Sequence, residues 1–186
     1  MTVAGIAAEL VDAVRAAEPH GPYALAGICS GGPIVLEMAR QLVDSGSEVQ
    51  LVVLVDPRVN PPSGLRQTAW RVALHLRHGS FLEAARRKLR PASPVEAEVH
   101  EHEFYRRLSA ARDAYDVRPL VGVPAGFVET KDYGLRLAIP SSVWRDALPH
   151  GFQSRRLPYE HEALMFAPAI DAFASTLSDL VAEAGE

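Results

Sequence analysis

Apolar residues recur at helical spacing at Val3, Ile6, Ala7, Leu10, Val11 and Val14, which predicts an amphipathic helix over 3–17. The turn-prone run EPHGP, Glu18–Pro22, stops it. The short apolar run YALAGI then predicts a strand over 23–28. In GGPIVLEMARQLVDSG, residues 31–46, Val35, Met38, Ala39, Leu42 and Val43 share one helical face, and Gly46 supplies the C-terminal cap. EVQLVVLVD, residues 48–56, is a nearly continuous β-branched run, the pattern of a strand buried on both faces. Strand, helix and strand joined by short turns form a βαβ unit and predict a parallel sheet.

From Pro57 to Pro119 the pattern changes. PRVNPPSG reads as a loop, and helical fragments follow around 70–77, 81–89 and 95–115, rich in Arg, Ala and Leu. This segment reads as a helical insertion, residues 58–117, within a single domain spanning 1–186. Alternation then resumes. VGVPAGFVETKD (121–132) contains a strand, SSVWRDAL (141–148) a short helix, GFQSRRLP (151–158) a strand, and 169–183 a closing helix with Ile170, Phe173, Leu177, Leu180 and Val181 on one side. The fold class is therefore α/β, a mostly parallel sheet of about four strands with flanking helices. No internal repeat, low-complexity tract or coiled-coil heptad is present.

Composition narrows the class. The 186 residues suffice for one domain with a sizeable core. A net charge of −4 gives no reason to expect a nucleic-acid partner. No apolar stretch approaches the roughly 18–20 residues that span a bilayer, and residues 1–18 carry too much charge for a signal peptide. The single cysteine, Cys29, excludes an internal disulfide and points to a reducing compartment, so a cytoplasmic protein is expected. Charge is unevenly spread. Residues 58–118 hold 12 of the 19 Lys and Arg but 7 of the 23 Asp and Glu, about +5 against about −9 for the remainder. A local anionic partner and a solvated face of surface helices both fit that excess.

Cys29 lies at the strand-to-helix junction, in G-I-C-S-G. A turn that presents a nucleophile there is sharp, and the residues two before and two after the nucleophile must be nearly free of side chain. Gly27 and Gly31 occupy those places around Cys29. Centring the turn on Ser30 would put Ile28 in the tight bend. The frame thus selects the thiol over the adjacent hydroxyl. The N-terminus of the following helix favours thiolate, and the backbone N–H of Ser30 is placed to face a developing oxyanion. The plain structural alternative is a small apolar cysteine filling a strand–helix joint.

A cysteine nucleophile needs a base and a group that orients it. Asp56 ends the buried run LVVLVD, at the carboxyl end of a parallel strand, where such folds bind ligands. It could instead cap the turn before Pro57. Glu129 and Asp132, in ETKDYG after the third strand, are rivals for the acid. Among seven histidines, His161 follows a strand and precedes the last helix, on the same rim. His20 and His150 sit in turns, and His75, His78, His100 and His102 lie in the insertion. HEH at 100–102 could be half a metal site but lacks cysteine partners, so no metal is expected.

With these pieces in place the chain resembles the thioesterase domains that terminate nonribosomal peptide and polyketide synthases, members of the α/β-hydrolase fold. The matching stretches are GPYALAGICSGGPIVLEMARQL, VQLVVLVDPRV, AYDVRPLVGVPAGFVE and LPYEHEALMFAPAIDAFASTL, from about Gly21 to Leu180. The resemblance implies that Cys29 is the nucleophile, Asp56 the acid and His161 the base, in the chain order of α/β-hydrolases. It implies an acyl or peptidyl thioester on a carrier protein's phosphopantetheine arm as substrate, no cofactor beyond that arm, and a helical lid for the insertion. The basic lid would suit the arm's phosphate and an acidic carrier surface.

The chain departs from the family at two points. The family usually has serine where Cys29 stands. An acyl-cysteine is itself a thioester, so loading from a carrier is close to isoenergetic and favours transfer, aminolysis or ring closure over simple hydrolysis. The family also has several strands before the nucleophile, one of which supplies the second oxyanion N–H, whereas one helix precedes Tyr23 here. A partner chain, a symmetry mate or an N-terminal segment is therefore expected to cover strand 23–28, because open edges invite aggregation. Two other functions fit the same sequence: a non-catalytic subunit that binds a carrier or completes a partner's hydrolase fold, and a small-ester hydrolase.

Overall fold

The computed structural model describes residues 1–58, 102–133, 144 and 147–185. Among them the element order is α1 (Val3–Ala17), β1 (Tyr23–Ile28), α2 (Gly31–Asp44), β2 (Val49–Val55), α3 (Glu103–Asp113), β3 (Ala125–Glu129), β4 (Gln153–Arg156) and α4 (Ala169–Ala184), with a single 3₁₀ turn at His161–Ala163 before α4. The four strands form one parallel sheet in the order β1-β2-β3-β4.

The helices form where the periodicity places them, and their ends have local causes. The Thr2 hydroxyl accepts from the Gly5 N–H at 3.1 Å and caps α1, whose Val3, Ala7 and Val11 turn inward. α2 closes at Ser45. Gly46 follows at φ +81°, the Gly46 N–H donates to the Val43 carbonyl at 2.9 Å and the Ser47 N–H to the Leu42 carbonyl at 2.9 Å. That pair is the Schellman arrangement, which uses a glycine's freedom at positive φ to satisfy the last carbonyls.

β2 shows why its sequence is apolar throughout. Val52 and Leu54 face α1 and α2, while Leu51, Val53 and Val55 face α4 through Phe173 and Leu180. Two cores therefore sandwich one strand, and each fully buried large side chain stabilises by about 1.5–3 kcal/mol. Phe127 of β3 anchors an aromatic group on the first face, with ring centroids 5.8 Å from Tyr133, 6.3 Å from Trp144 and 5.4 Å from Phe152. β4 is exposed along most of its length, as befits an end strand, and Arg155 ties it to Glu183 of α4 at 2.7 Å.

The helices expected around 70–77 and 81–89 lie outside the described residues, as does most of the one expected over 141–148. Residues 95–101 of the helix expected over 95–115 also lie outside the described residues; its remainder is seen as α3, Glu103–Asp113, where the His102 imidazole accepts from the Phe104 N–H at 3.3 Å as the N-terminal cap. Among the described residues no helix is long and apolar enough to cross a membrane.

Candidate active site

β1 delivers Cys29 at φ +54°, directly before α2, and β2 delivers Asp56 at φ +43°. Among the described residues these two are the only non-glycine residues at positive φ. Such backbone costs of order 1 kcal/mol or more per residue and persists where its surroundings over-determine it. Those surroundings are specific. The Cys29 N–H donates to the Val55 carbonyl at 2.8 Å, and the Cys29 carbonyl accepts from the Gly32 N–H at 3.2 Å and the Arg58 N–H at 2.9 Å. The Asp56 N–H donates to the Val128 carbonyl at 3.0 Å. Ser30 sits at φ −67°, so the bend is centred on the cysteine and not on the serine.

The small residues around the bend do different jobs. A Cβ on Gly27 would lie 2.6 Å from both the Gly31 carbonyl oxygen and Val35 Cγ2, so no side chain fits. Among the described residues, a Cβ on Gly31 would meet nothing within 4 Å. The crowding expected at both glycines thus falls on Gly27 alone, because it is the backbone of Gly31 that folds back onto Gly27. Gly32, not singled out from sequence, is the second crowded position. Its Cβ would lie 2.7 Å from Pro57 Cβ, on the loop that leaves β2.

Asp56, 4% exposed, carries three contacts on its carboxylate. Oδ1 accepts from the Thr130 N–H at 2.9 Å, and Oδ2 lies 2.5 Å from Thr130 Oγ1 and 2.7 Å from His161 Nδ1. Burial pushes the Cys29 thiol up. A hydrogen bond with His161 and the charge of that ring, then the charge of Arg58 and a hydrogen bond with Ser30, more than offset it and bring the thiol down to about 7. With Nδ1 on Asp56, the contact with Cys29 falls to Nε2. The structure thus gathers Cys29, Asp56 and His161 at the carboxyl ends of β1, β2 and β4, 105 residues separating the acid from the imidazole.

The rival acids occupy other places. Glu129 is the last residue of β3 and its carbonyl accepts from the Leu157 N–H at 2.8 Å. Asp132 Oδ1 accepts from the main-chain N–H of His161 at 2.8 Å. Thr130, fully buried between them, was missed from sequence; the signal was its position directly after β3, equivalent to that of Asp56 after β2.

Two further side chains link α3 and its exit to the bend. Arg112 donates through Nη1 to Ser30 Oγ at 3.3 Å, bringing one cation of the basic segment to the mouth of the site. Glu37, fully buried on α2, accepts from Tyr115 Oη at 2.9 Å, from Gln41 Nε2 at 3.0 Å and from Arg40. Burial alone would raise the Glu37 carboxyl, but these donors hold it below the ordinary carboxylate value. The charge of Glu37 is thereby kept inside and pins the chain that follows α3.

A family model described as "Thioesterase domain" matches residues 2–181. Among curated proteins, the chain is similar to "Aspulvinone E synthetase melA" of Aspergillus terreus, 27% identical over 209 residues that cover 92% of this chain and 22% of that protein. A shorter stretch is 46% identical over 55 residues to "Non-reducing polyketide synthase men2" of Menisporopsis theobromae, covering 30% of this chain and 2% of that one. Among solved structures, the NocB thioesterase domain in covalent complex with a fluorophosphonate nocardicin G analog is 27% identical, with a TM-score of 0.64, over 100% of this chain and 76% of that domain. Human thioesterase 2, at 12% identity and a TM-score of 0.64, shares the fold. The parallel sheet with its flanking helices is accordingly α/β-hydrolase-like. The chain spans about a fifth of the synthetase it matches.

Proposed function

We propose, because the chain belongs to the thioesterase domain family, that it takes an acyl or peptidyl group from a carrier protein's phosphopantetheine thioester and passes it on through an acyl-Cys29 intermediate. Its relatives include polyketide and nonribosomal peptide synthases, which supports a carrier protein as the partner. On this reading the arm is part of the substrate and the chain needs no cofactor of its own.

The observation that carries the reading is the line of contacts from Asp56 through His161 to a thiol at about 7. The Cys29 thiol, brought down to about 7, gives its proton to His161 as it attacks. The thiolate attacks the thioester carbonyl, and the Ser30 N–H at the start of α2 stabilises the oxyanion. The carbon–sulfur bond to the arm breaks, and the arm's sulfur leaves as a thiol with the proton from His161. An incoming amine, hydroxyl, thiol or water then gives its proton to His161 and attacks, and the Cys29 thiolate departs. Asp56 fixes the imidazole and stabilises its charged form throughout. Because the acyl-enzyme is again a thioester, little energy is lost on loading, and the acyl group stays reactive toward amines and thiols.

A carrier bearing a chloroacetylated pantetheine arm tests nucleophile and partner together. The expected result is a covalent carrier–enzyme product with its bond at Cys29, absent in Cys29→Ala. Failure to form it, with the protein folded and still binding the carrier, favours a non-catalytic carrier-binding subunit.

A further inference from the structure

The loops that leave β3 and β4 are stitched together step by step. The Leu157 N–H donates to the Glu129 carbonyl at 2.8 Å, the Lys131 N–H to the Tyr159 carbonyl at 2.8 Å, and the His161 N–H to Asp132 Oδ1 at 2.8 Å. The first two links are backbone to backbone. The third, at the residue whose position matters most for proton transfer, depends on a side chain. The same Asp132 oxygen lies 2.9 Å from Thr130 Oγ1, whose hydroxyl also reaches Asp56 Oδ2 at 2.5 Å. One hydroxyl hydrogen serves one acceptor at a time, and the shorter contact marks Asp56 as its favoured acceptor.

We propose that Asp132 is a positioning residue for the chemistry at Cys29, holding the main chain of His161 so that the ring bridges Asp56 and Cys29. It stands on the β3 exit loop, three residues past the strand, and so couples the placement of the base to the same turn that orients the acid. Proton transfer demands near hydrogen-bond geometry, and a displacement of about 1 Å can cost on the order of 10²-fold in rate. The consequence for turnover rests on the acyl-transfer reading above; the effect on the thiol does not.

The test uses the full chain and two readouts: the pH dependence of Cys29 alkylation by iodoacetamide, and kcat and KM for acyl transfer from an N-acetylcysteamine thioester. Besides His161, Arg58 and the Ser30 hydroxyl bear on the Cys29 thiol and Tyr133 interacts with it, and all three are left in place in every variant. Asp132→Ala is expected to move the alkylation midpoint upward from about 7 and to lower kcat about 10- to 100-fold with KM changed less than about 2-fold. Asp132→Asn keeps an oxygen that accepts from the His161 N–H, and is expected to restore most of both. A parental midpoint and kcat in Asp132→Ala overturn the proposal, as does an Asp132→Asn that is folded yet as impaired as Asp132→Ala. Should Asp132→Ala fail to fold, Asp132→Leu, which keeps the shape of the side chain and removes its acceptor, carries the test, and an unchanged midpoint there overturns the proposal. A midpoint that moves as expected in a parent protein with no acyl transfer upholds the positioning role and sinks the proposed function alone.

Discussion

The two halves of the site are held by different physics. The Cys29 half is steric. Its bend rests on positions with no room for a side chain, with Gly27 packed under the Gly31 backbone and Gly32 under Pro57 of the β2 exit. The His161 half is assembled from afar, by Asp56, Thr130 and Asp132 reaching from two other strands. The first depends on the absence of atoms, the second on the presence of polar ones. Steric errors in the first should therefore cost stability, and polar deletions in the second should cost chemistry while leaving the fold.

The sharpest way to break that contrast is Asp56→Asn. If the polar half serves catalysis, acyl transfer should fall about 10³- to 10⁴-fold, because the imidazole loses the carboxylate that sets its tautomer and stabilises its charge; steady-state kinetics read it. On the steric side, Gly27→Val should destabilise by about 3 kcal/mol, since its Cβ must displace backbone, and urea unfolding measures this. His161→Gln separates the halves in another way. It removes the two largest interactions that lower the Cys29 thiol, leaving the charge of Arg58 and the Ser30 hydrogen bond against the burial that raises it, so the alkylation midpoint should rise from about 7 toward the ordinary thiol value. In the parent, alkylation should accelerate through pH 7 and level off well below pH 9. Because the folded-state value lies below the ordinary one, the thiolate's contribution to stability is present at alkaline pH and lost as pH falls through about 7. The smallest effect is expected at Gly31→Ala. No atom of the described residues lies within 4 Å of the new methyl, so its unfolding midpoint should shift by less than about 0.5 kcal/mol equivalent, in contrast to Gly27→Val four residues earlier.

The same division governs what could be read from sequence. β1, α1 and β2 were legible because each is a local pattern: an apolar run, a helical stripe, a continuous β-branched run. The bend at Cys29 was legible for the same reason, as was the placement of Asp56 and His161 at strand ends. The glycine frame was read correctly at Gly27. It misled at Gly31, since flank counting cannot tell which glycine lacks room and which merely folds back. Gly32 was hidden because its crowding comes from Pro57, on another strand's exit. Thr130 and Glu37 were hidden because their roles are long-range: a hydroxyl 74 residues from its carboxylate and a buried acid that meets Tyr115 78 residues on. Asp132 was weighed as an acid, and the structure finds it on the main chain of His161.

The most direct measurement is intact mass and peptide mapping of the protein mixed with an acyl-loaded carrier and quenched within one turnover. An acyl adduct on the peptide containing Cys29, lost in Cys29→Ala and accumulating in His161→Gln far more slowly, is the expected result. Acyl transfer that proceeds at the parental rate in Cys29→Ala, or an adduct that maps to Ser30, would contradict it.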